Sequence, residues 1–436
     1  MADKLSERVG RFFRGRTAIV GLLAILILYA FEAYARNREH STPAILGDQS
    51  AYLGYARHLY ESNYTITEDR NRMPVYPFLL SLIYRPGMSE GEFLVRAQTF
   101  TVTLSILLLA LLFLIFRRFF PPWPALGLLA TTAFGVFIYR AGKAQVELLF
   151  YFVSFAAFVL LLQLFVRPRW WLAVLAGATT GLAHLTKASV LPGLAIWAAV
   201  FAAGIIWNAD RLRRLAVLML VVGSFFAVIF PYIQTSKRIY DSYFYNVNST
   251  FVMWCDSSTE AFEFLDKHGD KDQWREVPPD ERPSLRKYWR EHSVAQMAGR
   301  IWNGSLDLVT RNARAIGYYK FVVALLIAAI VLGLQRHRQA RTRLAGHRFT
   351  ATFVLLFLAG YFVLYAWYDG ISNDTRFVLS IFLPFVFSVS FFILRLGGDG
   401  KISMAGRQFR FDEVFGALLL ALAMIDVLYN APSLLR

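Results

Sequence analysis

An all-α polytopic membrane protein is the fold class this sequence predicts, and three observations predict it. The composition is 56% hydrophobic and only 17% charged, more apolar than a water-soluble core requires. The apolar residues gather in runs as long as the roughly 20 residues a helix needs to cross a bilayer. The arginines then cluster between alternate runs, which is how membrane helices are oriented.

The first run, 17–35, follows Arg11, Arg14 and Arg16. It is long and has no small-residue cleavage site after it, so it reads as a retained span and not as a cleaved signal. Further runs lie near 94–116, 123–140, 146–166, 170–187, 190–207 and 214–232. A second group lies near 313–334, 349–367, 376–395 and 414–430. Together they make about eleven spans. The connections at Pro121–Pro124 and Ala188–Pro192 read either as tight turns or as broken, re-entrant helices. The sequence thus divides into a cytoplasmic N-terminus with the first span (1–35), a first polar loop (36–93), a helical block (94–232), a second polar loop (233–312) and C-terminal spans (313–436).

Arg16, Arg117, Arg118, Arg167, Arg169, the group Arg211, Arg213 and Arg214, and the stretch Arg336–Arg348 all fall on one side of this arrangement. The positive-inside rule makes that side cytoplasmic and turns 36–93 and 233–312 outward. The net charge of +16 is therefore mostly a topology signal. No basic stripe is interleaved with stacking aromatics, so nucleic acid is not an expected partner. A single cysteine, Cys255, excludes an internal disulfide framework and reads as a neutral side chain of the second loop. No phosphate-binding P-loop or dinucleotide fingerprint occurs. Four Asn-X-Ser/Thr sites, at Asn63, Asn248, Asn303 and Asn373, fit the glycosylation pattern.

The first loop is too long for a plain connection. Tyr52, Tyr55 and Leu59 recur at helical spacing, which predicts a short helix over 51–60. Asp48 precedes it, either as its cap or as a carboxylate beside lipid available for chemistry. Asn71–Pro77 breaks helix geometry twice, and Phe78–Tyr84 is apolar again. Tyr52, Tyr55, Tyr76 and Tyr84 suit an interfacial level, rings toward acyl chains and hydroxyls toward headgroups. The second loop holds Trp254, Trp274 and Trp289 among many charges. Helices are expected over 256–268 and 284–300, the latter with Leu285, Tyr288 and Trp289 on one side. A segment of this size can cover a membrane cavity and select an acceptor.

Asp48, then Arg72-Met73-Pro74-Val75-Tyr76-Pro77, then Arg140 and Glu147, then Leu185-Thr186-Lys187, then Asp374-Thr375-Arg376-Phe377 with Pro384 resemble, in order and in sidedness, the GT-C class of integral membrane glycosyltransferases. Within that class the likeness is to bacterial protein-mannosyltransferase and lipid A aminoarabinose-transferase type enzymes, and it covers nearly the whole chain. The resemblance implies a GT-C-like helical fold with interfacial helices in the first outer loop. It implies a multi-pass protein of the bacterial inner membrane with a periplasmic active site. The implied donor is a sugar on a polyprenyl phosphate, the acceptor an extracytoplasmic lipid, glycan or protein. Some members carry an Asp-Glu pair in the first loop, but here Asp48 is followed by Gln49, so the double-acid motif is missing.

The resemblance makes Asp48 the catalytic carboxylate, which orients or deprotonates the acceptor. Glu147 is the substitute second acid, or else an ion-pair partner of Arg140 or Lys143. A single displacement with inversion is expected. Arg72, Lys187 and Arg376 are the candidates for holding the donor phosphate, against the plain alternative of snorkelling at helix ends. Arg376 could equally pair with Asp369 or Asp374. Tyr55, Tyr76, Arg140 and Arg311 complete the candidate set. The residues identify no cofactor with certainty; some members of the class use a divalent ion and others need none, so a divalent metal stays open, although His40 and His58 around Asp48 are not a recognised ligand spacing and His184 reads as a packing residue. A lipid-linked sugar flippase or secondary transporter is the alternative function. It would place its polar groups near the bilayer midplane.

Overall fold

The computed structural model describes residues 2–39, 48–65, 71–207, 210–268, 277–315, 317–372, 374–398, 400–404 and 407–434. Helices come in this order: α1 (Ala2–Glu39), α2 (Asp48–Glu61), α3 (Val75–Ser81), α4 (Glu90–Phe119), α5 (Pro122–Gly135), α6 (Glu147–Val166), α7 (Trp170–Thr186), α8 (Leu191–Ile206) and α9 (Arg211–Tyr240). The second polar segment holds α10 (Val247–Thr250), α11 (Ser258–His268), α12 (Leu285–Glu291) and α13 (Val294–Ala315). Then come α14 (Tyr319–Gln335), α15 (His337–Gly346), α16 (Arg348–Tyr368), α17 (Arg376–Gly397) and α18 (Phe411–Leu434). Strands β1 (Lys401–Met404) and β2 (Arg407–Arg410) form an antiparallel hairpin before α18.

This is an all-α, multi-pass membrane protein. Among the described residues eight helices are long and apolar enough to cross a membrane, or nine if α14 and α15, bent by 102°, count as one span. The expected total was about eleven. The helices outside the eight are α7 and α14, each only 17 residues long, and α18, whose described residues carry Asp412, Glu413 and Asp426.

Local chemistry sets the helix ends. Ser89 and Glu92 form a reciprocal capping box that starts α4, satisfying donors the first turn leaves open. At 120–122 the chain becomes extended at Phe120 and restarts with Pro122 in the first turn of α5, where a missing N–H costs nothing. At 187–192 Lys187 is extended and a 3-10 turn, Ala188–Val190, leads into α8 with Pro192 in its first turn. Both connections are therefore turns between helices, not re-entrant segments.

Small residues allow the closest helix crossings. A side chain at Gly177 of α7 would collide with Val221 and Ser224 of α9, and one at Gly416 of α18 would collide with the Trp123 backbone in the first turn of α5. Aromatic rings fill the bundle between α4, α6, α16 and α17, as in Phe155 against Phe116 (5.8 Å) and Phe387 (5.5 Å).

Two expectations fail on long-range packing. Tyr52, Tyr55, Tyr76 and Tyr84 are all buried in protein, at 8%, 4%, 0% and 7% exposure, and do not line a lipid interface. Tyr76 bonds Thr101 of α4 through its hydroxyl (2.7 Å) and stands edge-on to Tyr52 at 5.4 Å. Tyr84 packs on Phe93 of α4. The single helix expected over 284–300 breaks at His292–Ser293, because Ser293 caps α13 with Gln296. Of its expected apolar side only Tyr288 is buried; Leu285 and Trp289 stay exposed. The expected helix over 256–268 corresponds to α11. Trp274, His40 and Asn373 lie outside the described residues.

Alternation of the spans puts the C-terminal ends of α1, α5, α7, α9 and α16 and the N-terminal ends of α4, α6, α8 and α17 at one end of the bundle. A second small core forms there. Tyr240 stacks on Tyr245 (4.2 Å), and Val247, Phe251, the buried Cys255 and Ala261 pack with Ile371 from the loop after α16. Burial pushes the Cys255 thiol up to about 12, which makes it an inert core residue.

Candidate active site

The first-loop carboxylate does not act as a free helix cap. Asp48 opens α2, and both of its oxygens face arginines. Arg72, in the turn before α3, donates to Oδ1 at 2.9 Å. Arg376, at the first turn of α17, donates to Oδ2. The Asp48 side chain remains 30% exposed. Burial raises its carboxyl, and Arg376 and then Arg72 more than offset this, holding it below the ordinary carboxylate value.

Arg376 is the hub. Its guanidinium lies 3.6 Å from Glu147 Oε1 and 3.3 Å from Asp374 Oδ2. Its backbone is fixed as well: its N–H donates to Asp374 Oδ1 (2.9 Å), and its carbonyl accepts from the Tyr151 hydroxyl of α6 (2.7 Å). Glu147, at the start of α6, is 2% exposed and also faces the Lys187 ammonium at 3.6 Å. Lys187 rests over the Phe377 ring at 4.9 Å and the Phe150 ring at 5.6 Å. Arg140, just past α5, donates to Asp374 Oδ1 at 2.6 Å. For Asp374 too, burial raises the carboxyl, but the Arg376 N–H, Arg140 and the Arg376 guanidinium bring it below its usual value.

Six of the nine expected residues thus converge: Asp48, Arg72, Arg140, Glu147, Lys187 and Arg376. Tyr55 is buried on α2, and the hydroxyl of the buried Tyr76 hydrogen-bonds Thr101 of α4. Arg311 stands apart and pairs with Asp369 at 2.9 Å. The alternative of an ion pair for Glu147 is realised, but with Lys187 and Arg376 instead of Arg140 or Lys143. Of the partners open to Arg376, Asp374 is the one it meets.

Three participants were not among the expected residues. Asp374 completes the carboxylate trio; its position, two residues before Arg376 at a span entrance, was the available signal. Gln49 occupies the place of the missing second acid, and its side-chain oxygen accepts from the Ala144 N–H at 2.8 Å. That bond ties α2 to the loop between α5 and α6. Lys143 lies in the same loop and is exposed; among the described residues its ammonium has no carboxylate within salt-bridge distance. Three carboxylates thus pair with four cationic side chains and Lys143 adds a fifth nearby, a balance that favours an anionic ligand.

The three carboxylates are turned onto one guanidinium, and among the described residues no group of three or more His, Cys, Asp or Glu converges as a metal would need. His184 packs between Phe225 and Phe244, away from the charges. Two shallow grooves, one along Arg16, Trp123 and Leu420 and the other along Trp170, Trp171 and Arg213, lie at the opposite end of the bundle.

No family model and no curated protein matches the chain. Among solved structures it is similar to the Archaeoglobus fulgidus oligosaccharyltransferase complexed with zinc and sulfate, at 16% identity and TM-score 0.44, over 92% of this chain and 53% of that one. It is also similar to archaeal oligosaccharyltransferase AglB of the same organism with an inhibitory peptide and a dolichol-phosphate, at 15% identity and TM-score 0.48, over 94% and 55%. The apo form gives 15% and 0.44, over 95% and 56%. The chain spans little more than half the length of these structures.

Proposed function

We propose that this protein is a GT-C-type membrane glycosyltransferase. It transfers a hexosyl or pentosyl group from a polyprenyl phosphate to a lipid, glycan or protein acceptor on the periplasmic side of a bacterial inner membrane. The observation that carries the reading is a half-buried carboxylate, Asp48, shared between two arginines at the membrane end of a helical bundle with surplus positive charge.

In this reaction the acceptor oxygen forms a bond to the anomeric carbon as the bond from that carbon to the phosphate oxygen breaks. The electron pair leaves with the phosphate, and Asp48 takes the acceptor proton. One displacement of this kind inverts the anomeric centre. Arg72 and Arg376 are shared between base and leaving group. A donor phosphate that draws the arginines toward itself frees Asp48 oxygens for the acceptor and neutralises the departing charge. Lys143 and Lys187 supply further positive charge for the phosphate. The segment 233–312 covers the acceptor side.

The flippase reading predicts its working charges near the middle of the spans; the clustering of these charges at helix ends supports transfer instead. The test is incubation of the purified protein with polyprenyl-phosphate sugars and candidate acceptors, with mass analysis of the products. Transfer that disappears in Asp48→Asn is the expected result. Translocation of the same donors across vesicles, with no transferred product, would favour the flippase.

A further inference from the structure

Helix α13 presents three distinct faces. One packs on the protein. Gly304 lies so close to Ala366 that a side chain would strike its carbonyl, Leu308 is buried, Arg300 donates to the Trp367 carbonyl at 2.9 Å, and Arg311 pairs with Asp369. A second face carries Val294, Trp302, Leu306 and Val309, at 70%, 66%, 47% and 46% exposure. The third carries Gln296, Asn303, Asp307 and Thr310, all exposed. At roughly 3.6 residues per turn the exposed apolar and exposed polar residues fall in separate, adjacent arcs.

The crossing geometry fixes how α13 lies. From Arg300 to Arg311 the helix axis advances about 16 Å. Yet Arg300, Gly304 and Arg311 all reach the short stretch Ala366–Asp369 at the end of α16. Helix α13 therefore crosses the end of that span and does not run along it. On α16, Val363 lies one turn back and is 45% exposed, so the apolar stripe of α13 continues an apolar surface that already belongs to a membrane span.

We propose that α13 lies in the plane of the membrane surface on the site side. The Val294–Val309 stripe is seated in the acyl chains of that leaflet, and the Asn303–Asp307 face is in water. An in-plane helix needs an apolar arc for the acyl chains and a separate polar arc for water, and the exposed Trp302 within the apolar arc is a residue type enriched at the interface. The Arg311–Asp369 pair and the Gly304 contact then set the depth of the loop that leads to Asp374 and Arg376. This inference does not depend on the reaction the site performs.

The test uses the full chain with Cys255→Ala, spin-labelled singly after Asn303→Cys, Leu306→Cys, Asp307→Cys or Val309→Cys. Each protein is placed in nanodiscs of phosphatidylethanolamine and phosphatidylglycerol. Collisions with oxygen, which concentrates in lipid, are compared with collisions with a water-soluble nickel chelate. Labels at 306 and 309 should prefer oxygen, and labels at 303 and 307 should prefer nickel. A nickel preference at all four positions overturns the proposal. Shielding of 306 and 309 from both reagents also overturns it, and assigns the stripe to a protein partner. All four positions are exposed, so each label leaves packing intact, and a melting temperature matching the unlabelled chain verifies this.

Discussion

The Arg376 guanidinium donates to the Asp48 carboxylate, joining residues 328 positions apart. With Arg72 on its other oxygen, the candidate base is held as a charged carboxylate of weakened basicity. In the proposed reaction the same two arginines receive the donor phosphate, so base and phosphate would compete for shared cations and donor binding would release the base.

If Asp48 is that base, Asp48→Asn should lower the turnover of bound donor by about 10²- to 10⁴-fold. Asparagine keeps the size and one acceptor oxygen but has no charge with which to take the proton. Donor binding, measured by calorimetry with a polyprenyl phosphate, should survive, because Arg72 and Arg376 lose a competitor for it. Near-normal turnover of the purified variant would remove Asp48 from the chemistry.

The ion pairs of Asp48 also make stability depend on pH. Its carboxyl is lower in the folded protein than its ordinary value, so the folded state favours the charged form. The stabilisation is present in full above the unfolded value of about 3.9 and is lost as pH falls through the lower folded value. The difference in melting temperature between wild type and Asp48→Asn should be constant from neutral pH down to about pH 5. It should shrink only below that. A difference that already collapses between pH 6 and 7 would contradict the arginine clamp.

Glu147 is a positioning residue in this geometry. It is almost fully buried and holds Lys187 and Arg376, each at 3.6 Å. Glu147→Gln should raise the donor KM by about tenfold or more, since a buried cation loses its counter-charge. The acid limb of the pH–rate profile should not move, and Glu147→Asp should recover part of the loss. A fall in kcat at unchanged KM would make Glu147 the proton acceptor instead.

The convergence of Glu147, Lys187 and Arg376 was legible because each stands at the same end of an apolar run, where charge is costly without a partner, and Asp48 and Arg72 lie in the polar loop on that side. Span positions were legible for the same reason, except where α7 is short and α18 carries acids. Pairings were not legible. Glu147 meets Lys187 and Arg376 only because α6, α7 and α17 come together, and no local pattern reports that. The first-loop tyrosines show the same limit: ring and hydroxyl suit a lipid interface, but α4 supplies Thr101 and Phe93 to cover them. Asp374 was overlooked as a participant because Asp-Thr-Arg also reads as an ordinary local ion pair.

Sidedness gives a prediction independent of chemistry. By arginine placement the site end is expected outside the cytoplasm. In intact cells carrying Cys255→Ala, an impermeant maleimide should label Thr65→Cys and Lys267→Cys, whose positions are exposed. Arg341→Cys, in α15 at the opposite end, should react only after the membrane is opened. The reverse pattern would put the charge cluster in the cytoplasm and end the periplasmic reading.

Lys143 and Lys187 separate binding of a phosphate from maintenance of the site. Lys187 is already committed, with Glu147 at 3.6 Å and aromatic rings on two sides. Lys187→Met strands Glu147 as a buried charge, so it should lower the melting temperature as well as impair donor use. Lys143 is exposed in the loop that Gln49 anchors through Ala144, and among the described residues no carboxylate lies within salt-bridge distance of it, although Asp374 and Glu147 act on it from further off. A phosphate approaching from water meets that charge before it meets the paired arginines. Lys143→Met should therefore raise donor KM by about tenfold, or roughly 1.4 kcal/mol, and weaken its dependence on salt. Melting temperature and turnover at saturating donor should stay at the wild-type level. Unchanged donor KM in Lys143→Met, together with a donor-bound structure whose phosphate lies more than about 8 Å, one Debye length, from Arg72, Lys187 and Arg376, would dismantle the cationic clamp. A structure with the phosphate on Arg376 alone would keep that residue as the ligand and return Arg72 and Lys187 to holding Asp48 and Glu147 in place.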